Sequence, residues 1–412
     1  MPQPPHPLFS VFGVELEYML VDRDSLDVRP LADKVLTSLA GQLTSDVECG
    51  PVTWSNELAR HVIEIKTTAP ANDLRLLPQR FRTAIADLQS TLDPLHLCLL
   101  PTAAHPWMQP AREAELWPHE CSEIYQAYDR IFDCRTHSWS NVQSVHLNLP
   151  FAGDEEFARL HAATRLVLPL LPALAASSPI IDGAASGFLD TRMHLYAGHC
   201  QAVPSLIGDV IPEAIFDQQT YQREILDTIA RDIRPHDPDH VLQVEFCNAR
   251  GAIARFDRGS IELRVMDVQE YPGADIAICA AAAAVTRALC MGRWTDLETQ
   301  QSVSTPALRR LLDKTTQHAE HAIIDDAKLL GQFGIRQTPM TASQLWSTLL
   351  PKLRHDNAVL DGLYPTLQVI LREGTLATRI QRATGKNFSR EQLAAVYRQL
   401  SECLTEWKPF QP

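Results

Sequence analysis

The chain has 412 residues, 45% hydrophobic and 21% charged, with 17 Gly, 28 Pro and a formal net charge of −13, a composition that supports a large core or two domains and excludes long disordered stretches. The acidic balance, with no dense run of Lys and Arg, excludes a nucleic-acid backbone as the main partner. Nine cysteines without a CxxC pair predict reduced thiols in a cytoplasmic protein rather than a disulfide framework.

Residues 1–10 begin MPQPPHPLF, with neither a basic n-region nor a long apolar h-region, and read as a disordered lead-in rather than a secretory signal. Residues 11–20 (VFGVELEYML) alternate in polarity. A strand there sends Glu15 and Glu17 to one face and Val14, Leu16 and Tyr18 to the other. In residues 61–68 (HVIEIKTT) the same alternation sets Glu64 against Ile63 and Ile65, with Glu57 on the approach to the strand. Residues 78–92 predict an amphipathic helix. His119, Cys121, Cys134 and His137 are zinc-type side chains, but their spacing matches no standard finger and a helix-like stretch separates the halves, so they read as ordinary helix and loop residues.

Further along, residues 143–150 (QSVHLNLP) place His146 opposite in face to Val145 and Leu147. Residues 154–171 predict a helix. The segment 177–192, rich in small residues and ending FLDTR, predicts a substrate-binding loop. Arg192 at its end reads equally as a bidentate partner for a substrate carboxylate and as a surface Arg paired with Asp190; Tyr196 is a second substrate-binding candidate. Residues 260–267 (SIELRVMD) put Glu262 and Arg264 on one face against Ile261, Leu263 and Val265. Residues 274–291 predict another helix.

Beyond about residue 300 every periodic segment is helical: 305–330, 341–353, 358–372 and 389–407, with Gly331, Gly374 and Gly385 as stops and Ser389 with Gln392 as a capping box. The apolar stretches 166–181, broken by prolines, and 276–291, carrying Arg287, predict no membrane span. With no internal repeat or low-complexity linker, the expected organisation is a catalytic region over 11–300 and a helical region over 301–412 packed on it.

Taken singly, each acidic strand reads as the solvent-facing side of a half-exposed antiparallel sheet. Four such strands in one sheet would instead gather carboxylates, a histidine and an arginine, the outline of a metal site. Carboxylates two apart on one strand face are spaced by about 6 to 7 Å, which suits two neighbouring hard cations. An arginine beside them fits phosphoryl chemistry, where it neutralises charge on the transferring group.

GVELEYMLVD, the segment from Glu57 to Glu64, QSVHLNLPF, LPLLPALAASSPIIDGAASGFLDTRMHLY and RGSIELRVMDVQ, in this order over about residues 11–295, resemble the glutamate–cysteine ligase type 2 family of carboxylate-amine ligases. The resemblance implies an α+β, glutamine-synthetase-like fold: a curved, mostly antiparallel sheet forming a funnel flanked by helices. It also implies ATP and Mg²⁺, or Mn²⁺ in its place, with a carboxylate, the γ-carboxylate of glutamate, joined to cysteine or another amine through an acyl phosphate. By the same resemblance, Glu17, Glu57 and Glu64 hold one metal, and Glu15, His146 and Glu262 hold a second nearer the nucleotide phosphates. Glu64 then has a catalytic role as well, and Arg264 contacts the transferring phosphate. The implied partners are small molecules, an amino acid and an amine, with neither nucleic acid nor membrane; a homo-oligomer is compatible with the sequence. A kinase acting on an amine or guanidino acceptor, a metal-dependent amide hydrolase and a non-catalytic nucleotide- or metal-binding member of the family remain open alternatives.

Overall fold

Alternation of apolar and polar residues makes Gly13–Asp22 (β1) the central strand of the computed structural model, which describes residues 6–412. Its neighbours are Asp46–Cys49 (β2), Val52–Asn56 (β3), Val62–Thr67 (β4), Leu97–Leu100 (β5), Ser144–Pro150 (β6), Ala252–Arg255 (β7) and Ser260–Asp267 (β8). They form an eight-stranded sheet in the order β2-β3-β4-β1-β6-β8-β7, with β5 paired to the C-terminal half of β1. Every pairing within it is antiparallel. Val14, Leu16 and Tyr18 point into the core with Trp54, Ile65, Leu147 and Leu263, as side-chain alternation requires.

Helices Leu77–Leu92 (α1), Gly153–Val167 (α2) and Pro272–Cys290 (α3) contribute Phe81, Leu160 and Ile278 to the same core. The run of alanines in α3 lets α2 and two later helices, Ala342–Arg354 (α4) and Ala358–Glu373 (α5), approach closely. α3 has the length and hydropathy of a membrane span, yet it is buried inside the fold. The chain ends in helices Leu376–Thr384 (α6) and Arg390–Glu406 (α7). Trp346 Nε1 on α4 donates to the Leu170 carbonyl at 3.1 Å, and Ser401 Oγ on α7 donates to Leu99 O at 2.9 Å. The fold is mixed α+β.

Several boundaries differ from expectation. Residues 1–5 of the expected lead-in lie outside the described residues, but Leu8 N donates to Glu156 Oε2 at 3.0 Å and Leu8 and Phe9 pack on the core, so residues 6–10 are anchored. The single helix expected over 305–330 ends at His318, where Ala319 takes φ 43°. Ile323–Ile324 then pairs with Met340–Thr341 before a new helix runs over Ala327–Gln332. Asp326 causes the restart by accepting from the amides of Lys328 and Leu329, a cap that outcompetes helix continuation. Gly331 is therefore helical and not a stop; Gly334, at φ 68°, follows the helix end. Gly374 and Gly385 do flank helix ends with positive φ, and the Ser389–Gln392 capping box forms. Helix 154–171 ends at Val167, and its remainder tightens into a 3₁₀ turn at Leu168–Leu170 containing Pro169, which cannot donate to a continuing α-helix.

Candidate active site

Strand register assembles the site. Glu15 lies opposite His146 on one side and Lys66 on the other, Glu17 lies opposite Glu64, and Glu262 lies opposite Asn148. Paired residues of adjacent strands share a face. Four strands thus bring these side chains together on the side of the sheet away from the apolar core. This face is not the solvent-exposed surface that single strands suggest: Glu17, Glu64, His146 and Glu262 are only 9, 4, 8 and 4% exposed. Helices and loops cover it.

His146 is the centre of the contacts. Its Nδ1 lies 3.3 Å from Glu15 Oε2 and 3.6 Å from Glu262 Oε1, while Nε2 meets Ser144 Oγ at 2.9 Å. Ser144 in turn donates to Glu17 Oε2 through its hydroxyl at 3.0 Å and its backbone amide at 2.7 Å. Asn148 Nδ2 donates to Glu15 Oε1 at 3.1 Å. On the neighbouring strand, Glu64 Oε2 accepts from Ser55 Oγ at 2.6 Å and Lys66 Nζ at 2.5 Å. Arg264 Nε faces Glu262 Oε1 at 3.3 Å but is buried without a hydrogen-bond partner, and Arg255 Nη1 lies 3.7 Å from Glu262 Oε2.

The electrostatics follow from crowding charge out of water. Burial pushes the Glu57 carboxyl well above its usual range, reinforced by the charges of Glu17 and Glu64. Burial and then the Glu15 charge raise Glu64 to about 7 against the pull of Lys66. For Glu15, burial acts upward but is overcome by the His146 hydrogen bond and charge, with Lys66 and Arg258 helping, and the carboxyl falls to about 2. Burial opposes the charge on His146, yet Glu15, with Glu262 and Glu17, raises it to about 9. The site is an excess of acid held together by a few cations.

A cavity of about 650 Å³ opens onto this face. Glu17, Glu57, His146, Arg192 and Arg264 reach its wall, and Tyr125, Tyr128, Trp139, Tyr196 and Phe246 give it an aromatic lining; Glu15, Glu64 and Glu262 are not part of that wall. Arg192 is buried and is not the surface partner of Asp190. Its Nε donates to Asp267 Oδ1 at 2.6 Å and its Nη2 to the Arg264 carbonyl at 3.2 Å, while Asp190 caps its helix by accepting from Met193 N. With Nε and Nη2 engaged, Arg192 has no free fork, and Nη1 is its remaining guanidinium nitrogen. Tyr196 donates its hydroxyl to Ala249 O at 2.8 Å and packs on the His199 ring, so it offers the cavity mainly its ring.

The donors fit a hard divalent cation in kind, five carboxylates and one imidazole on a common face. Among the described residues, however, no three His, Cys, Asp or Glu side chains converge as a ligand set; Lys66 and Ser55 hydrogen-bond Glu64, and Ser144 hydrogen-bonds Glu17. His146 would have to release a proton to serve as a ligand. The zinc-type residues behave as expected of ordinary positions: His119 pairs with Asp33, His137 with Asp182, Cys121 is exposed and Cys134 buried.

Sequence reasoning missed Lys66, Ser144 and Asn148, although each sits two residues from a named site residue on the same strand and so carried the same signal. It also missed Asp267, at the end of the strand that carries Glu262 and Arg264, and Arg255, His199, Tyr125, Tyr128, Trp139 and Phe246, which reach the site through tertiary packing.

A model of Glutamate-cysteine ligase family 2 (GCS2) matches residues 11–399, so the match continues into the helices after residue 300. An uncharacterized protein of Archaeoglobus fulgidus is 34% identical over 319 residues, 75% of this chain and 86% of its own length. A Cupriavidus metallidurans protein provisionally named glutamate–cysteine ligase 2 is 29% identical over 266 residues, and the match spans only 62% of either chain. Among solved structures, the fold resembles a glutamate–cysteine ligase of Francisella tularensis in complex with AMP, with TM-score 0.59, 14% identity and coverage of 96% of this chain and 89% of that one. A bifunctional glutathione synthetase of Pasteurella multocida gives TM-score 0.62 at 13% identity, covering 97% of this chain and 52% of that one. At such identities the structural likeness is one of fold. On the family match, which takes in both the sheet and the helices packed on it, the chain belongs to glutamate-cysteine ligase family 2, a family of ligase enzymes.

Proposed function

We propose that this chain is an ATP-dependent carboxylate–amine ligase that activates the γ-carboxylate of glutamate as an acyl phosphate and transfers the acyl group to cysteine or another amine. The observation that carries this reading is the meeting of Glu15, Glu17, Glu64, His146, Glu262 and Arg264 on one sheet face, beside a cavity whose wall also takes in Glu57 and Arg192. Family membership and the AMP bound by the Francisella ligase of the same fold support the choice of nucleotide.

Mg²⁺, or Mn²⁺ in its place, held by Glu17, Glu57 and Glu64 and by Glu15, His146 and Glu262, would neutralise phosphate charge. The chain's own residues do the rest. Arg264 holds a buried Nε beside Glu262 without a hydrogen bond to it, a donor that can serve a phosphoryl oxygen as negative charge moves during transfer. Arg192 orients the substrate carboxylate through Nη1 while Asp267 fixes its plane. The substrate carboxylate oxygen attacks the γ-phosphorus and ADP departs. The amine nitrogen then attacks the acyl carbon, the carbon–oxygen bond to phosphate breaks with its electron pair, and the nitrogen loses a proton to solvent. No protein nucleophile is needed, so catalysis rests on positioning and charge. Tyr125, Tyr128 and Trp139 narrow the cavity and limit water access to the acyl phosphate.

Purified protein with Mg-ATP and glutamate, challenged with a panel of amines including cysteine, tests the reading by ADP, phosphate and product mass. Phosphate release that requires both glutamate and an amine, with an amide of matching mass, is the expected result and names the acceptor. ADP with a phosphorylated product and no free phosphate would make the protein a kinase; absence of ATP turnover with glutamate and every amine overturns the glutamate ligase.

A further inference from the structure

Lys66 is two residues from Glu64 on the same strand and on the same face, directly opposite Glu15 of β1. Its ammonium lies 2.5 Å from Glu64 Oε2, and its side chain is only about one-third exposed. The other proton on that oxygen comes from Ser55 Oγ at 2.6 Å, so Glu64 Oε2 is fully engaged by the protein itself. Around it stand Glu15 and Glu57, and no other Lys or Arg hydrogen-bonds Glu64 among the described residues. A buried carboxylate group without a cation would be strongly self-repelling, and a single flexible ammonium on a four-carbon stem is the cation this strand supplies.

We propose that Lys66 is a tethered counter-ion that competes with the divalent metal for Glu64, keeping the carboxylate cluster folded in the metal-free protein and setting how tightly metal binds. The inference rests on the metal reading given under Proposed function and deepens it. A metal ligand needs its carboxylate oxygen free, whereas Lys66 and Ser55 hold the Glu64 oxygen in the metal-free arrangement. Metal binding through Glu64 Oε2 therefore displaces the Lys66 ammonium, and its stem, partly exposed, has room to swing away. Lys66 thereby lowers metal affinity in exchange for tolerance of the empty site. A lysine whose only task was to shield the sheet edge would leave metal affinity unaltered.

Lys66→Met keeps the stem and removes the charge. Binding of Mn²⁺ to wild type and to Lys66→Met, in the absence of nucleotide, is followed by the loss of the free-ion paramagnetic resonance signal. The expected result is at least about tenfold tighter Mn²⁺ binding by Lys66→Met, the scale of removing one competing charge at contact distance. In parallel, the variant should melt lower than wild type in EDTA and gain more from Mn²⁺. Equal or weaker Mn²⁺ binding by the variant, with measurable binding by wild type, overturns the role of Lys66 and leaves the metal site standing. Failure of both proteins to bind Mn²⁺ at millimolar concentration overturns the metal reading and this inference together. ATP turnover plays no part in either outcome.

Discussion

Glu262 sits where three positive groups meet: Arg264 Nε at 3.3 Å, His146 Nδ1 at 3.6 Å and Arg255 Nη1 at 3.7 Å. Glu262→Gln preserves shape and hydrogen-bonding capacity while deleting a charge, so ADP formation should fall by about 10²- to 10³-fold with little change in melting temperature. Near-normal turnover would remove Glu262 from the site. Arg264 differs, because its buried Nε faces the Glu262 carboxylate at 3.3 Å without a hydrogen bond to it and so remains a donor for charge that appears during transfer. Arg264→Ala should lower kcat by about 100-fold while the KM for ATP moves by no more than about threefold; an unchanged kcat assigns Arg264 to structure. Glu15, Glu17, Glu64, His146 and Glu262 were legible because each sits among alternating apolar residues, a pattern that fixes its face before any contact is known. Glu57 follows β3 rather than lying in a strand, so alternation could place it only on the approach to Glu64, and the metal role came from the family resemblance. What sequence could not supply was depth: the same alternation describes a wet surface and a buried site, and burial of Glu64 or Glu262 depends on which helices cover the sheet.

The elements that follow the sheet are tied to it by a buried ion pair. Arg379 on α6 donates through Nη1 to Glu270 Oε1 at 2.6 Å and to the Phe410 carbonyl at 2.7 Å, and Phe410 N donates to the same Glu270 oxygen at 3.0 Å. Both charges are out of solvent. Removing one partner strands the other, so Glu270→Gln should cost about 3 to 5 kcal/mol in urea unfolding, while Glu270→Leu with Arg379→Met should recover most of that loss. A single-variant loss below about 1 kcal/mol would show that the pair does not secure the C-terminal helices. Neither α6 nor this pair was expected from sequence. α6 has only nine residues between Gly374 and Gly385, too short for periodicity to stand out, and Glu270 meets Arg379 across 109 positions. Long amphipathic segments such as α1 and α7 were legible nearly to the residue. The segment 305–330 was not, because its spacing stays helical where the Asp326 cap and the Ile323–Ile324 pairing break it.

Stability of the whole molecule couples to pH through groups that the site does not use, and His161 isolates one such coupling. It lies buried on α2, its ring stacked on Phe157 at 5.3 Å and edge-on to Tyr221 and Phe216 at 5.8 and 6.0 Å. Burial, with the positive charges of Arg165 and Arg250 adding to it, lowers its pKa from 6.5 to about 3. As pH falls below 6.5 the unfolded chain takes up a proton that the native protein refuses until about pH 3. The contribution of this residue is therefore intact above 6.5 and is lost progressively as pH falls through that window. Glu57 and Glu64 act in the opposite sense, since their raised pKa values let the native protein take protons first, so an acid profile of wild type alone mixes the two. Comparison with His161→Phe cancels every group the two proteins share. The unfolding free energy of the variant should gain on wild type by about 1.4 kcal/mol for each pH unit between 6 and 4, read from urea titrations at pH 7, 6, 5 and 4.5. A difference that stays constant across those pH values would mean that His161 titrates normally in the native protein, and that the aromatic packing of α2 against the sheet does not exclude water from its ring.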